Sequence, residues 1–128
     1  MKLLLDTQAF LWWLSDDPRL GKKARRQIAD CKNEIFLSVA SLWELTIKVS
    51  LGRFDVTGDF EVWVLAQLAR NRFEILPIQL AHVLALSRLP SHHKDPFDRI
   101  LIAQAIGEAM PLLTVDADIA RYPVEILW

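Results

Sequence analysis

The sequence predicts an α/β protein: a short parallel sheet between two layers of helices. Three observations carry that expectation. Short apolar runs alternate with helical segments from one end of the chain to the other, the pattern of parallel strands joined by crossover helices. The first run, Leu3-Leu4-Leu5, is uninterrupted, as suits a strand buried on both faces. An acid, Asp6, follows at once and so stands at the strand's carboxyl end, the edge where ligands collect in open α/β sheets.

Each element has its own signal. Thr7–Leu14 reads as a short helix, stopped by Asp16-Asp17-Pro18, because the residue before proline is pushed out of the helical region. Gly21–Asp30 reads as a second helix with a basic face, and Glu34–Leu37 as a strand. Ser38–Ser50 is a helix with Ser38 or Ser41 as N-cap and Gly52 as its stop. Asp59–Arg70 is an amphipathic helix capped by Asp59, with Phe60, Trp63, Val64 and Leu68 on its apolar face. Glu74–Pro77 is a third apolar run, and Leu80–Leu89 is helical until Pro90. Asp95-Pro96 is a start signal, aspartate at N-cap and proline at the first helical position, for a helix running to about Ala109. Pro111–Val115 is a fourth strand, Asp116–Ala120 a short helical turn, and Val124–Trp128 a last strand.

The chain has 128 residues, which predicts one domain with a real core. Apolar residues make up 52% and the net charge is −1, so no overall basic field advertises a nucleic-acid partner unless several acids are neutralised by a cation. Cys31 is the one cysteine, which excludes an intrachain disulfide framework and fits a reducing compartment. Asp6 interrupts the first apolar run too early for a signal peptide, and no run approaches the ~20 residues needed to span a bilayer. The expectation is a cytoplasmic protein with no membrane partner. Neither GxGxxG nor GxxxxGK[ST] occurs.

Four acids fall on the carboxyl edge in this layout: Asp6 after the first strand, Glu44 in the helix after the second, Asp98 in the first turn of the long helix, and Asp116 after the fourth strand. Each also has a capping explanation. Asp6 and Asp116 suit N-caps, Asp98 suits the helix dipole behind Asp95, and Glu44 has capping-box spacing from Ser41 and i,i+4 spacing to Lys48. Capping, however, does not need four carboxylates on one edge. Two carboxylates ~5 Å apart repel by roughly 3 kcal/mol at an effective dielectric of ~20. Such a group calls for protonation or a cation. Oxygen ligands without a thiolate or HExxH point to magnesium or manganese, and to activation of water for phosphodiester hydrolysis.

The stretches LLDTQAFLWWL (4–14), LSVASLWELTIK (37–48), HKDPFDRILIAQA (93–105) and LLTVDAD (112–118) resemble those of PIN-domain ribonucleases, most nearly the VapC-type toxins of bacterial toxin–antitoxin pairs. They occur in order and span nearly the whole chain. The resemblance implies a three-layer PIN-like fold. It also implies that Asp6, Glu44, Asp98 and Asp116 form the family's metal-holding catalytic cluster, with Asp118 close to the most variable position. Thr7 takes the place of the family's small hydroxyl residue beside the first acid. Magnesium- or manganese-dependent endonucleolytic cleavage of RNA, dimerisation, and neutralisation by a cognate antitoxin are further implications.

Other residues have weaker claims. His92 and His93 sit in the loop before the long helix. Oxygen ligands already supply the metal site, so contact with RNA phosphate, above all by His93, or a solvated pair is favoured over metal ligation; Arg99 is placed for phosphate or for an ion pair. Lys48 and Arg53 are placed for the substrate backbone, whereas Lys22, Lys23, Arg25 and Arg26 read as a solvated face. Trp43 and Trp63 fit the core. Trp12 and Trp13 point about 100° apart on their helix, so one is expected at a partner surface, antitoxin or second protomer. The mechanism expected is attack of metal-activated water at phosphorus, leaving a 5′-phosphate and a 3′-hydroxyl. The rivals are an aspartyl-phosphate enzyme using Asp6, disfavoured by Gln8 where a second acid would stand, a non-catalytic binding module, and a DNA nuclease of the same fold.

Overall fold

Leu3, Leu4 and Leu5 are fully buried, and successive residues of a strand face opposite sides of its sheet. Leu3 and Leu5 pack with Phe10, Leu20, Ala24, Leu45 and Phe73; Leu4 packs on the opposite side with Leu101, Ile102, Ala105, Ile119 and Tyr122. This one strand therefore nucleates two cores, and the continuous apolar run is explained. The computed structural model describes residues 1–128. Five strands, β1 (Lys2–Leu5), β2 (Glu34–Ser38), β3 (Glu74–Leu76), β4 (Leu112–Leu113) and β5 (Ile126–Leu127), form one parallel sheet in the order β3-β2-β1-β4-β5. The helices are α1 (Thr7–Leu14), α2 (Lys22–Ala29), α3 (Val39–Ser50), α4 (Phe60–Asn71), α5 (Leu80–Ala85) and α6 (Pro96–Gly107). The fold is the three-layer α/β/α arrangement expected.

The chain moves outward from β1 through β2 to β3, then returns to the other side of β1 with β4 and β5. The order reverses beside β1, and a crevice at the carboxyl ends of β1 and β4 is the consequence. Register fixes what stands there. Leu5 lies opposite Leu37 on one side and Leu113 on the other, so Asp6, Ser38 and Thr114 share the next row.

The caps follow the sequence signals. Asp59 Oδ2 accepts from the Val62 amide at 3.1 Å, and Asp95 Oδ1 accepts from the amides of Phe97 and Asp98 at 2.9 and 3.2 Å. Ser38, not Ser41, caps α3: its hydroxyl accepts from the Ala40 amide at 3.0 Å and donates to Gln104 Oε1 at 2.5 Å. Ser41 is one turn inside the helix and buried.

Several expectations need correction. The helix from Leu80 is α-helical only to Ala85 and continues as a 3₁₀ turn to Arg88, because Leu89 is extended ahead of Pro90. Helix α6 ends at Gly107, two residues early, with Ala109 in the left-handed region (φ 53°). Strand β4 holds two residues instead of five, since its partner β1 ends at Leu5 and Asp6 turns into α1. Strand β5 is likewise cut to two. Trp43 is not core but 57% exposed, its ring edge-on to Phe97 at 5.0 Å between centroids. Ser41 and Leu45 face inward on α3, and Trp43 lies about 200° round the helix from Ser41. Trp63 is half-buried against Phe54 and Phe60 beside the first core. No helix is long and apolar enough to cross a membrane.

Candidate active site

Asp6 occupies the mouth of the crevice by position alone: it is the first residue after β1 and the N-cap of α1. Its Oδ1 accepts from the Ala9 amide at 2.6 Å, and its Oδ2 accepts from the Thr114 hydroxyl at the end of β4. The residue is only 7% exposed. Burial raises its pKa from 3.8 to about 6. The bonds from Thr114 and Ala9 oppose that rise, and the charges of Asp116 and Glu44 add to it.

Asp116 stands two residues past Thr114. Its amide donates to Thr114 Oγ1 at 3.1 Å, and its Oδ1 accepts from the Asp118 amide at 2.8 Å. Thr114 thus ties the first and fourth acids together. Asp98 projects from the first turn of α6, where the cap at Asp95 sets its height. Burial raises its pKa to about 6 as well; a bond from His93 opposes the rise, and Asp95 and Asp116 reinforce it. Glu44, in the second turn of α3, pairs with Lys48 at 3.5 Å. The four acids are therefore one electrostatic group: Asp6 feels Glu44 and Asp116, and Asp98 feels Asp116. Asp118 is outside it, pairing with Arg121 at 3.8 Å.

The donor set fits a hard divalent cation. Its groups are carboxylate oxygens, two of them held reluctant to ionise by burial and mutual repulsion, which a cation would relieve. No three His, Cys, Asp or Glu side chains are arranged to grip one ion as they stand. Coordination calls for side-chain rotation, and the pair Glu44 would leave behind, Lys48–Glu44, is partly exposed and worth little.

The remaining candidates are dispersed. The Thr7 hydroxyl is turned away from the Asp6 carboxyl and donates to Ser41 Oγ at 2.9 Å in the core, joining α1 to α3. His93 turns inward to Asp98, with Nε2 at 3.1 Å from Oδ2. Arg99 donates to the Pro90 carbonyl at 2.7 Å and to the Tyr122 hydroxyl at 2.9 Å, a structural placement and not an open phosphate contact. Lys48 is at the acids' rim through Glu44, whereas Arg53 is exposed beyond the end of α3. Arg25 of the basic face pairs with Asp16 at 2.6 Å. Neither Trp12 nor Trp13 is fully exposed. Trp12 packs edge-on to Trp128 at 6.0 Å under the Arg19 guanidinium, its indole N–H buried without a partner, and Trp13 donates to Asn71 at 2.9 Å.

Two residues escaped the sequence reading. Thr114 was visible as a hydroxyl closing an apolar run, but its bond to Asp6 spans 108 positions and depends on the pairing of β1 with β4. Tyr122, the chain's one tyrosine, is buried against α6 and contacts both His93 and Arg99.

A recess of about 240 Å³ opens beside the acids, lined by Asp6, Gln8, Trp12, Val115, Asp116 and Trp128. Gln8 and Trp12 also line a neighbouring cavity of about 460 Å³ with Leu11, Phe54, Trp63, Arg19 and Arg70. The two make a path from the acids along α1 to α4.

Solved structures share this architecture. A chain of VapBC2 from Rickettsia felis bound to a promoter DNA fragment is 20% identical, with a TM-score of 0.71 over 100% of this chain and 98% of that one. FitAcB from Neisseria gonorrhoeae gives 17% and 0.67 over 98% and 96%. VapBC-5 from Mycobacterium tuberculosis, of the VapBC family of toxin–antitoxin systems, gives 23% and 0.58 over 94% and 89%. No curated protein matches the chain. The sequence model of the PIN domain matches residues 3–125. With that match over nearly its full length, and with the fold and acidic crevice described above, the chain belongs to the PIN-domain family.

Proposed function

We propose that this chain is a single-domain, divalent-metal-dependent endoribonuclease, the toxin of a cytoplasmic toxin–antitoxin pair. The observation that carries the reading is the coupling of Asp6, Glu44, Asp98 and Asp116 at the carboxyl edge of a PIN fold, with Asp6 and Asp98 both raised to about 6. Asp6 and Asp98 would hold the principal ion, Glu44 would position it, and Asp116 would complete the shell. Magnesium or manganese, when bound, supplies the charge that activates water and steadies the leaving oxygen of a phosphodiester. The bonds from Thr114 and the Ala9 amide, which hold both oxygens of Asp6, support this role by favouring its ionised form. Lys48 beside Glu44 is the nearest candidate for the RNA backbone, with Arg53 further out.

The antitoxin reading draws support from the likeness to VapBC assemblies. The path past Trp12 is the surface we assign to that partner, and Trp12→Ala should weaken the complex at least tenfold in calorimetry while leaving manganese affinity unchanged. For the homodimer, Leu80, Val83 and Leu84 of α5 and Ile106 of α6 are exposed apolar side chains of adjacent helices.

The deciding experiment is a cleavage assay with antitoxin-free protein on structured and unstructured RNA and on single-stranded DNA, in magnesium, manganese or EDTA, beside Asp98→Asn. RNA cutting that needs metal and is lost in the variant supports the enzyme. Cutting of DNA alone would change the substrate class. No cutting together with no metal binding would return the acids to helix capping and leave a binding module.

A further inference from the structure

His93, Tyr122 and Arg99 form a bonded chain that ends on Asp98, and hydrogen-bond bookkeeping gives it a direction. Tyr122 Oη accepts from Arg99 Nη1 at 2.9 Å and from the His93 backbone amide at 3.2 Å. A hydroxyl oxygen has two lone pairs, so both are used. What Tyr122 has left is its O–H, and of the two acceptors in reach His93 Nδ1, at 2.9 Å, lies well inside the His93 carbonyl at 3.5 Å and so receives it. An imidazole that accepts at Nδ1 carries its proton on Nε2 when neutral, and Nε2 lies 3.1 Å from Asp98 Oδ2. The chain of donors therefore runs Arg99 to Tyr122 to His93 to Asp98. Its far end is anchored: Arg99 also bonds the Pro90 carbonyl at 2.7 Å, Tyr122 is buried in the core beneath α6, and the His92 ring stacks edge-on to Tyr122 at 4.9 Å. Asp98 Oδ2 is thereby engaged by the protein, whereas no protein group bonds Oδ1.

We propose that Tyr122 and His93 are positioning residues: Tyr122 locks the Nε2–H tautomer of His93, and His93 in turn holds one oxygen of Asp98 so that the other is presented to a divalent cation. The inference rests on the metal-nuclease reading for its purpose, but not for its geometry. Outer-shell partners that fix the orientation of a metal ligand are worth about 10–100-fold in metal affinity or activity. The proposal makes Asp98 a ligand tethered at one oxygen, about which the other acids rotate to complete the shell. It also reassigns His93 and Arg99 from substrate contact to support of the site.

Two measurements separate the geometry from its use. The first is the imidazole nitrogen-15 spectrum of metal-free protein at pH 8. Wild type should show His93 in one tautomer, Nε2 protonated and Nδ1 an acceptor. Tyr122→Phe should give a mixture of tautomers. A mixed wild-type ring, or an unchanged ring in Tyr122→Phe, overturns the inference whatever the protein does to RNA. The second is manganese affinity by calorimetry, with melting temperature as a check on folding. His93→Ala should lose about 10-fold or more, Tyr122→Phe less, and His93→Gln, whose amide N–H can still donate to Asp98, should recover part of the loss. Wild-type affinity in both His93→Ala and Tyr122→Phe overturns the proposal while leaving the nuclease standing. A wild type that binds no manganese but keeps the single tautomer overturns the nuclease reading and with it the chain's proposed purpose.

Discussion

Asp6 carries two demands in one side chain. It caps α1 through Oδ1, and it stands as a nearly buried acid facing Asp116 and Glu44. Thr114 reconciles them by donating to Oδ2. Thr114→Val removes a bond that favours the ionised form, so the Asp6 pKa should climb above about 6, as followed by carboxyl carbon-13 titration. No change would show that burial alone sets it. Asp98 differs, because Asp95 and not Asp98 caps α6. Asp98→Asn should therefore abolish metal-dependent cleavage and change stability by less than about 1 kcal/mol, read by urea unfolding at pH 7. Retained cleavage would remove Asp98 from the mechanism.

At the scale of elements, the site depends on how β2, α3 and α6 are tied. Ser38 caps α3 and donates to the buried Gln104 of α6, whose amide nitrogen reaches the Pro77 carbonyl after β3 at 3.2 Å. Ser38→Ala loses a cap worth ~1 kcal/mol and leaves Gln104 Oε1 buried without a donor, a further ~1–3 kcal/mol. The expected loss is about 2–4 kcal/mol in urea unfolding, against about 1 kcal/mol for Asp95→Ala at the exposed cap of α6. Equal losses would mean that the Ser38–Gln104 bond adds nothing beyond capping. Because Glu44 rides on α3 and Asp98 on α6, Ser38→Ala should also weaken metal binding, although Ser38 touches neither acid.

For the whole molecule, the acids link stability to pH. Below about 3.8, Asp6 is protonated whether the chain is folded or not. As pH rises the unfolded chain ionises first, and above about 6 the folded state carries the full penalty, roughly 3 kcal/mol for Asp6. Asp98 contributes in the same direction, but less, because it is more open to water. The penalty is absent in acid and complete at neutrality. A divalent cation that binds the acids relieves it, so manganese should raise the melting temperature by several degrees at pH 7 and hardly at all at pH 4.5. Equal shifts at the two pH values would contradict the cluster. Asp6→Asn should flatten the fall in metal-free stability between pH 4 and pH 7.

Local chemistry determined much of this protein. The buried run Leu3-Leu4-Leu5, the stop ahead of Asp16-Asp17-Pro18, the cap at Asp59 and the start at Asp95-Pro96 are short-range signals, and each marks an element boundary found in the structure. Asp6, Asp98 and Asp116 were legible because each follows a strand end or opens a helix, and a parallel sheet sends such positions to one edge. Glu44, in the second turn of α3, was legible from the helix that follows β2 and from the resemblance of its stretch to the family. What only the tertiary structure decided are contacts between distant segments. Strand pairing cut β4 to two residues and brought Thr114 to Asp6; the inward face of α3 turned Trp43 to solvent; the packing of Tyr122 under α6 engaged His93 and Arg99 in bonds within the protein. Periodicity and capping act over a few residues. The polar partner of a buried acid is chosen by whatever side chain the fold happens to bring within 3 Å, from either end of the chain.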